Sequence, residues 1–232
     1  LFRSGGRKTG NMHVIGELKP GAEVLVAEGY ATGASLHQAT GKAVAVAFDS
    51  GNLDPVVGAL KQRYPTSPIY VMGDNDKHAQ QNVGVEKAMA AAQKHQVGVA
   101  FPEFKAGGKL TDFNDLHKAE GLAAVKAQVE AALGQSMAQS RQQAAGIAKA
   151  QLGDGVEVGV PGQNTRHTGE VLGVTGYHAT QATGRNAAVV HAVADLDQRP
   201  EPGKVATIQY RDGRGKVQDR AVEQQKQQQL QR

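Results

Sequence analysis

The chain has 232 residues, of which 40% are hydrophobic and 4% aromatic, and it carries a formal net charge of +4 with no cysteine. The absence of cysteine excludes disulfides, a thiolate nucleophile and a cysteine-ligated zinc ion, and no apolar run reaches the roughly 20 residues that cross a bilayer. The mild positive charge suits a polyanionic partner without requiring one. We expect a cytoplasmic protein without a membrane partner and, because the sequence begins with Leu1, part of a longer protein.

Predicted strands and helices alternate along residues 1–133. Short runs of β-branched and apolar residues predict strands at 12–16, 24–27, 43–48, 69–72 and 97–101. Helix-forming stretches between and after them predict helices at 32–39, 56–64, 84–95 and 120–133. Thr32 and Asp54 are the expected caps of the first two helices. This alternation favours the α/β class, with a parallel sheet covered by helices on both faces.

The composition changes after residue 133. Residues 134–152 are rich in Gln, Ala and Ser and predict either a solvated helix or a flexible linker. Over residues 153–220, short Val- and Thr-rich runs alternate with Gly, Asn and Asp turns, which predicts a small β-rich, barrel-like domain. Residues 221–232 are Gln-rich and are expected to be disordered or helical.

Acidic residues directly follow two of the predicted strands. Glu28 comes after the strand at 24–27, and Asp74 and Asp76 come after the strand at 69–72. Parallel strands present their carboxyl ends at one edge of a sheet, where ligands bind. Carboxylates gathered there repel one another unless a cation lies between them, and oxygen ligands favour Mg²⁺ or Mn²⁺. Stabilisation of a helix N-terminus and simple turn chemistry are alternative explanations of the same residues.

At these positions the chain resembles the Toprim family, the catalytic domain shared by bacterial-type primases, topoisomerases and some nucleases. Four neighbouring motifs narrow the resemblance to primases of plasmids, phages and conjugative elements. These motifs are Glu28-Gly29-Tyr30-Ala31-Thr32-Gly33, Ser50-Gly51-Asn52-Leu53, Asn82-Val83-Gly84 and Asp112-Phe113-Asn114-Asp115-Leu116. The resemblance covers residues 10 to 133 and implies a Rossmann-like parallel sheet with flanking helices. The β-rich part is similar to the KfrB domain that accompanies plasmid primases and relaxases.

The resemblance implies metal-dependent nucleotidyl transfer: the synthesis of primers on a single-stranded DNA template from nucleoside triphosphates, in plasmid replication or conjugative transfer in bacteria. It makes Glu28, Asp74 and Asp76 the catalytic residues and the ligands of Mg²⁺ or Mn²⁺. Asp112 is then either an outer metal ligand or the cap of the turn that follows it. The cations expected to hold phosphates are Arg7, Lys8, Lys77 and Lys109.

Two other functions stay open at the level of sequence. A magnesium-dependent nuclease uses the same metals with water as the nucleophile, and a Toprim-like module can bind DNA or a protein without catalysis. Other domains of the parent protein, or a replication or transfer protein, are the further partners expected. Residues 151–232 carry ten Lys and Arg against nine Asp and Glu. From this balance we expect the C-terminal part to bind DNA weakly or not at all and to dock a protein.

Overall fold

The computed structural model of the protein describes residues 8–76, 82–105 and 108–219. It divides into two compact units, Leu1–Ser136 and Met137–Arg232. Across the described parts of the chain, no helix combines the length and the apolar character needed to span a membrane.

A five-stranded sheet forms the centre of the first unit. Its strands are β1 (His13–Ile15), β2 (Val24–Ala27), β3 (Ala43–Val46), β4 (Ile69–Met72) and β5 (Gly98–Ala100). They lie in the order β1-β3-β2-β4-β5, and every neighbouring pair is parallel except β1 with β3. The three central strands are fully buried, which explains their uninterrupted apolar sequences. The predicted α/β class is confirmed.

Helices alternate with the strands. They are α1 (Tyr30–Thr40), α2 (Leu53–Arg63), α3 (Val83–His95), α4 (Phe113–Glu120) and α5 (Leu122–Leu152). One core cluster joins α2 and α3 to the sheet through buried Val56, Leu60, Ala88 and Ala91. Burying a side chain the size of valine or leucine contributes about 1.5–3 kcal/mol. Helix–sheet packing therefore contributes several such increments to the stability of this unit.

Both expected helix caps are wrong. Helix α1 begins two residues before Thr32, and its cap position is Gly29. Helix α2 begins one residue before Asp54, so this carboxylate lies inside the first turn. It accepts hydrogen bonds from Lys94 Nζ at 2.8 Å and His95 Nε2 at 2.6 Å. Asp54 therefore ties α2 to α3, a role that depends on residues about 40 positions away.

Helix α5 includes the whole of residues 134–152, where the sequence left a helix and a linker open. Within the second unit, Ser140, Ala144 and Ala148 are buried along one face of this helix, at a spacing of four residues. The Ser140 hydroxyl accepts a hydrogen bond from the Tyr177 backbone N–H at 3.0 Å, and the Thr180 hydroxyl donates to the Ala144 carbonyl at 2.7 Å. This part of α5 is therefore a packed element of the second unit.

A six-stranded sheet forms the second unit, which confirms the predicted β-rich C-terminal part. Its strands are β6 (Glu157–Gly159), β7 (Arg166–Val174), β8 (His178–Gly184), β9 (Ala187–Ala192), β10 (Val205–Arg211) and β11 (Arg214–Asp219). They lie in the order β11-β10-β7-β8-β9-β6, antiparallel except for β6 with β9. After β9 the chain returns to the outer edge of β11, where Leu196 bridges Gly215. The sheet is thus partly closed on itself.

A polar network lies within this second core. The Gln181 side-chain amide donates to two backbone carbonyls, those of Gly169 and Ala206. The Gln181 side-chain oxygen therefore faces His191 Nε2 at 3.2 Å. Because this oxygen can only accept a hydrogen bond, His191 Nε2 must carry the proton. His191 Nδ1 is then the acceptor for the Tyr210 hydroxyl at 2.9 Å. Because every member has a partner, the network fixes His191 as a neutral imidazole.

Acid is expected to destabilise the second unit through His191. Burial, together with nearby His167, lowers the pKa of His191 to about 3. Between pH 6.5 and 3 the unfolded chain therefore binds a proton that the folded chain does not. The contribution of His191 to the free energy of unfolding is fully present above pH 6.5 and is lost as the pH falls. At pH 5 the loss should reach about 2 kcal/mol. Amide hydrogen exchange over residues 166–219 of the full chain, at pH 7.5 and 5, measures it.

The matched variant is His191→Gln, which cannot titrate. It should start less stable but lose less between the two pH values. His167 and His178, whose pKa values burial also lowers, contribute equally to the loss in both proteins. An identical pH-dependent loss in parent and variant would contradict the assignment to His191.

Candidate active site

The neighbouring strands β2 and β4 bring Glu28 and Asp74 to the same edge of the first sheet. Ala27 is opposite Met72 where β2 and β4 end, and Glu28 follows directly after Ala27. Asp74 follows Met72 after one glycine. A backbone hydrogen bond of 2.8 Å from Phe48 N–H to the Glu28 carbonyl extends the pairing with β3. The sequence therefore predicted correctly that these two residues follow neighbouring strand ends.

Asp74 lies in an unfavourable electrostatic environment. Burial is the main cause that raises the pKa of its carboxyl group to about 7, and the charges of Glu28, Asp112 and Asp115 add to it. Among the described residues, its Oδ1 atom is buried and has no hydrogen-bond partner. An ionised carboxylate buried among other carboxylates is costly unless a cation neutralises it.

Glu28 is half-buried beside this group. Burial raises the pKa of its carboxyl group; the Ser50 backbone N–H donates a hydrogen bond that lowers it, and the charge of Asp49 raises it again. Burial outweighs the hydrogen bond. Glu28 and Asp74 are therefore two carboxylates whose negative charges are poorly compensated by the protein.

Asp112 is the N-terminal cap of α4. One of its oxygens accepts the Asp115 backbone N–H at 2.7 Å, and the other accepts the Thr32 hydroxyl at 2.8 Å. Asp115 in turn accepts the Thr111 backbone N–H at 3.0 Å. The capping alternative for Asp112 is thus what the structure displays, and its role as an outer metal ligand stays a prediction. The contribution of Asp115 to the field at Asp74 was missed, although the motif that contains it was noted.

The loop after β4 is held tightly. A Cβ atom at Gly73 would lie 2.4 Å from a ring carbon of Phe101 and 2.9 Å from the Ala88 Cβ, so only glycine fits there. The Asn75 backbone N–H donates to the Thr111 carbonyl at 2.8 Å, and the Asn82 side chain donates to the Asn75 side chain at 2.9 Å. These contacts fix the backbone on both sides of Asp74. Asn82 belongs to one of the motifs noted in the sequence, but its contact with Asn75 was not predicted.

These residues fit a divalent cation in part. Among the described residues, no group of three or more His, Asp or Glu side chains is arranged to hold a metal ion. Mg²⁺, however, is commonly bound through one or two carboxylates together with substrate phosphates and water. Glu28 and the Asp74 oxygen that has no partner among the described residues would supply the two carboxylates. Asp76 is exposed, and its participation stays a prediction.

Two exposed aromatic residues are neighbours of Glu28. Tyr30 follows it by two residues in the chain, and the Phe48 backbone N–H is hydrogen-bonded to its carbonyl. Tyr30 is 55% exposed and Phe48 is 46% exposed. The Tyr30 ring contacts His13 at 5.6 Å between centroids. Phe48 has a φ of 63°, a left-handed conformation that costs a non-glycine residue about 1–2 kcal/mol. Strain of this kind is concentrated at functional sites, and exposed aromatic rings can stack on bases.

The predicted phosphate-binding cations are only partly described. Lys8 Nζ contacts Asp49 Oδ2 at 2.5 Å, and this hydrogen bond lowers the pKa of the Asp49 carboxyl group. Lys109 is exposed in the loop that precedes α4. Arg7 and Lys77 lie outside the described residues. The phosphate-binding role of all four stays a prediction.

Comparisons with known proteins agree with this description. Residues 23–123 match the Toprim domain, and residues 166–219 match the KfrB domain. Two curated relatives, each described as DNA primase TraC of Escherichia coli, are 39% identical over 110 residues and 37% identical over 113 residues. These alignments cover 44% and 46% of this chain, but the chain spans only 8% and 11% of the relatives. No solved structure matches it. The first unit thus contains a region similar to the Toprim domain, and the second unit a region similar to the KfrB domain.

Proposed function

We propose that this chain is the nucleotidyl-transferase core of a DNA primase that synthesises short RNA primers on single-stranded DNA in the bacterial cytoplasm, during plasmid replication or conjugative transfer. The observation that carries the proposal is the Asp74 Oδ1 atom, which is buried and has no hydrogen-bond partner among the described residues, together with Glu28 after the neighbouring strand end. The similarity to two DNA primases supports this function over other Toprim activities.

The reaction joins a 3′-hydroxyl oxygen to the α-phosphorus of a nucleoside triphosphate, and pyrophosphate leaves. Bound Mg²⁺ or Mn²⁺ supplies neutralisation of the phosphate charge and activation of the hydroxyl. Glu28 and Asp74 would hold the ion, with Asp76 and Asp112 as the further ligands that the resemblance implies. Glu28 is also the proposed acceptor of the hydroxyl proton.

Cations and aromatic rings are proposed to bind the nucleotide and the template strand. Lys8 and Lys109, with Arg7 and Lys77, are the cations proposed to hold phosphates. Tyr30 and Phe48 are proposed to stack on bases, because aromatic rings accept any base. A replication or transfer protein, or further domains of a longer parent protein, would bring the template to this site.

Primer synthesis by the full chain tests the proposal. We expect labelled ribonucleotides to be incorporated into short products on single-stranded DNA in the presence of Mg²⁺ or Mn²⁺, and not in EDTA. A reaction that instead shortens the DNA would identify the nuclease alternative, which uses the same carboxylates. DNA binding without either reaction would identify a non-catalytic binding module.

A further inference from the structure

The second unit displays four cations on one face of its sheet. Strand register decides which side chains share a face, because successive residues of a strand point to opposite sides. In the three-stranded part β11-β10-β7, Ile208, Tyr210 and Val217 point into the core. The residues between them therefore point outward. The outward cations are Arg166 on β7, Arg211 on β10, and Arg214 and Lys216 on β11. We call these four residues the basic face.

The register places these cations close together. Gln209 is paired with Arg166 on one side and with Lys216 on the other. The backbones of these two cationic residues are therefore about 10 Å apart across the sheet. Arg211 and Arg214 are directly opposite each other in the next row. The sequence alone does not indicate this arrangement, because residues 166 and 216 are far apart in the chain.

A short turn fixes the register. Asp212 and Gly213, with φ values of 49° and 78°, form the two-residue connection between β10 and β11. Two consecutive left-handed residues are typical of the turns that set hairpin pairing. A slip of one residue would bury the cations and expose the core, so the basic face is as well defined as the core.

The cations of the basic face are poorly compensated. Within the described ranges, no ion pair involves Arg166, Arg211 or Lys216, whereas Lys204 on the same unit pairs with Glu201 at 2.8 Å and Asp219 at 3.6 Å. Arg214 donates to the Ala194 carbonyl at 3.0 Å, which does not neutralise its charge. Directly opposed like charges destabilise a strand pair. An anionic ligand would remove that penalty.

The chemistry of the face favours nucleic-acid phosphates. The outward residues are Val205, Thr207, Gln209 and Arg211 on β10, Arg214, Lys216 and Gln218 on β11, and Arg166, Thr168 and Glu170 on β7, so four cations share this part of the face with one carboxylate. They include cations and hydrogen-bond donors but no aromatic ring for stacking on a base. We propose that the basic face binds the phosphate backbone of nucleic acid without sequence preference, and so holds template strand for a chain whose first unit acts on it. We favour this role over the protein docking expected from the charge balance, because register concentrates charges that composition averages.

DNA binding by the full chain in EDTA tests the proposal. The variant is Arg211→Gln with Lys216→Gln, and the control is Lys149→Gln with Arg185→Gln, which removes two exposed charges from α5 and from the β8–β9 turn. Loss of two phosphate contacts should weaken binding of labelled single-stranded DNA roughly 25-fold at 0.1 M salt and reduce the slope of log affinity against log salt by about 1.4. The control should stay within about twofold of the parent.

Two outcomes would overturn the proposal. Equal weakening of both double variants would mean that net charge alone matters. Unchanged affinity in the Arg211 and Lys216 variant would assign the face to another partner, such as a docked protein. A duplex of the same length, for which the expected slope change is about 1.8, shows which form of nucleic acid the face prefers. Thermal unfolding shows whether each variant is folded, and Arg166→Gln, on a different strand, gives an independent loss of one contact.

Discussion

Asp74→Asn is expected to weaken Mn²⁺ binding while making the metal-free protein more stable. The variant removes a ligand charge, so Mn²⁺ affinity should fall by at least about tenfold, or 1.4 kcal/mol. It also removes a buried charge that Glu28, Asp112 and Asp115 disfavour. The free energy of unfolding in EDTA at neutral pH should therefore rise by about 1–2 kcal/mol. Calorimetric Mn²⁺ titration and urea unfolding measure the two effects.

The controls separate the ligand role from the loss of a charge. Asp154→Asn removes an exposed carboxylate from a turn and should change neither quantity. Asp76→Asn tests the exposed ligand predicted from the sequence; it should weaken Mn²⁺ binding without stabilising the metal-free protein. Parental Mn²⁺ affinity in the combined Asp74→Asn and Asp76→Asn protein would show that the metal site lies elsewhere.

Glu28→Gln should reduce primer synthesis by about 100-fold or more, the range typical for loss of a general base. Glutamine keeps the shape of the side chain, and the backbone hydrogen bond from Phe48 to residue 28 does not depend on the side chain. The fold should therefore be retained. Initial rates of ribonucleotide incorporation, measured at saturating Mn²⁺, report the effect.

The matched control is Glu17→Gln, an exposed carboxylate of the same unit that pairs with Lys19 on the surface. It should retain parental activity. If Glu28→Gln retains activity within about threefold, Glu28 is not the catalytic base. A loss of activity that higher Mn²⁺ restores would instead assign Glu28 to metal binding alone.

The parallel sheet was predictable from sequence because strands that are buried on both faces consist of uninterrupted apolar residues. Strands β2, β3 and β4 are apolar without interruption, and their ends are marked by Gly and acidic residues. Glu28 and Asp74 could be placed at one edge because parallel strands share a direction. No knowledge of the neighbouring helices was needed for that step.

Features that depend on distant partners were not predictable. Asp54 follows the rule for a helix cap, but Lys94 and His95 decide its role. The Gln- and Ala-rich stretch is compatible with a helix or a linker until its contacts with Tyr177 and Thr180 are known. The basic face likewise requires the pairing of β7 with the β10–β11 hairpin, which lies about 30 residues later in the chain.

Positions 73 and 74 of this site are expected to differ in their tolerance to mutation. Any side chain at position 73 would collide with Phe101 and with Ala88 of α3, so selection for folding alone preserves the glycine. Asp74, one residue later, is expected to oppose folding and is retained only while the chemistry is needed. In a lineage that no longer used this activity, the aspartate would be free to drift and the glycine would not. The two adjacent positions are therefore under different constraints: folding requires Gly73, and the chemistry requires Asp74.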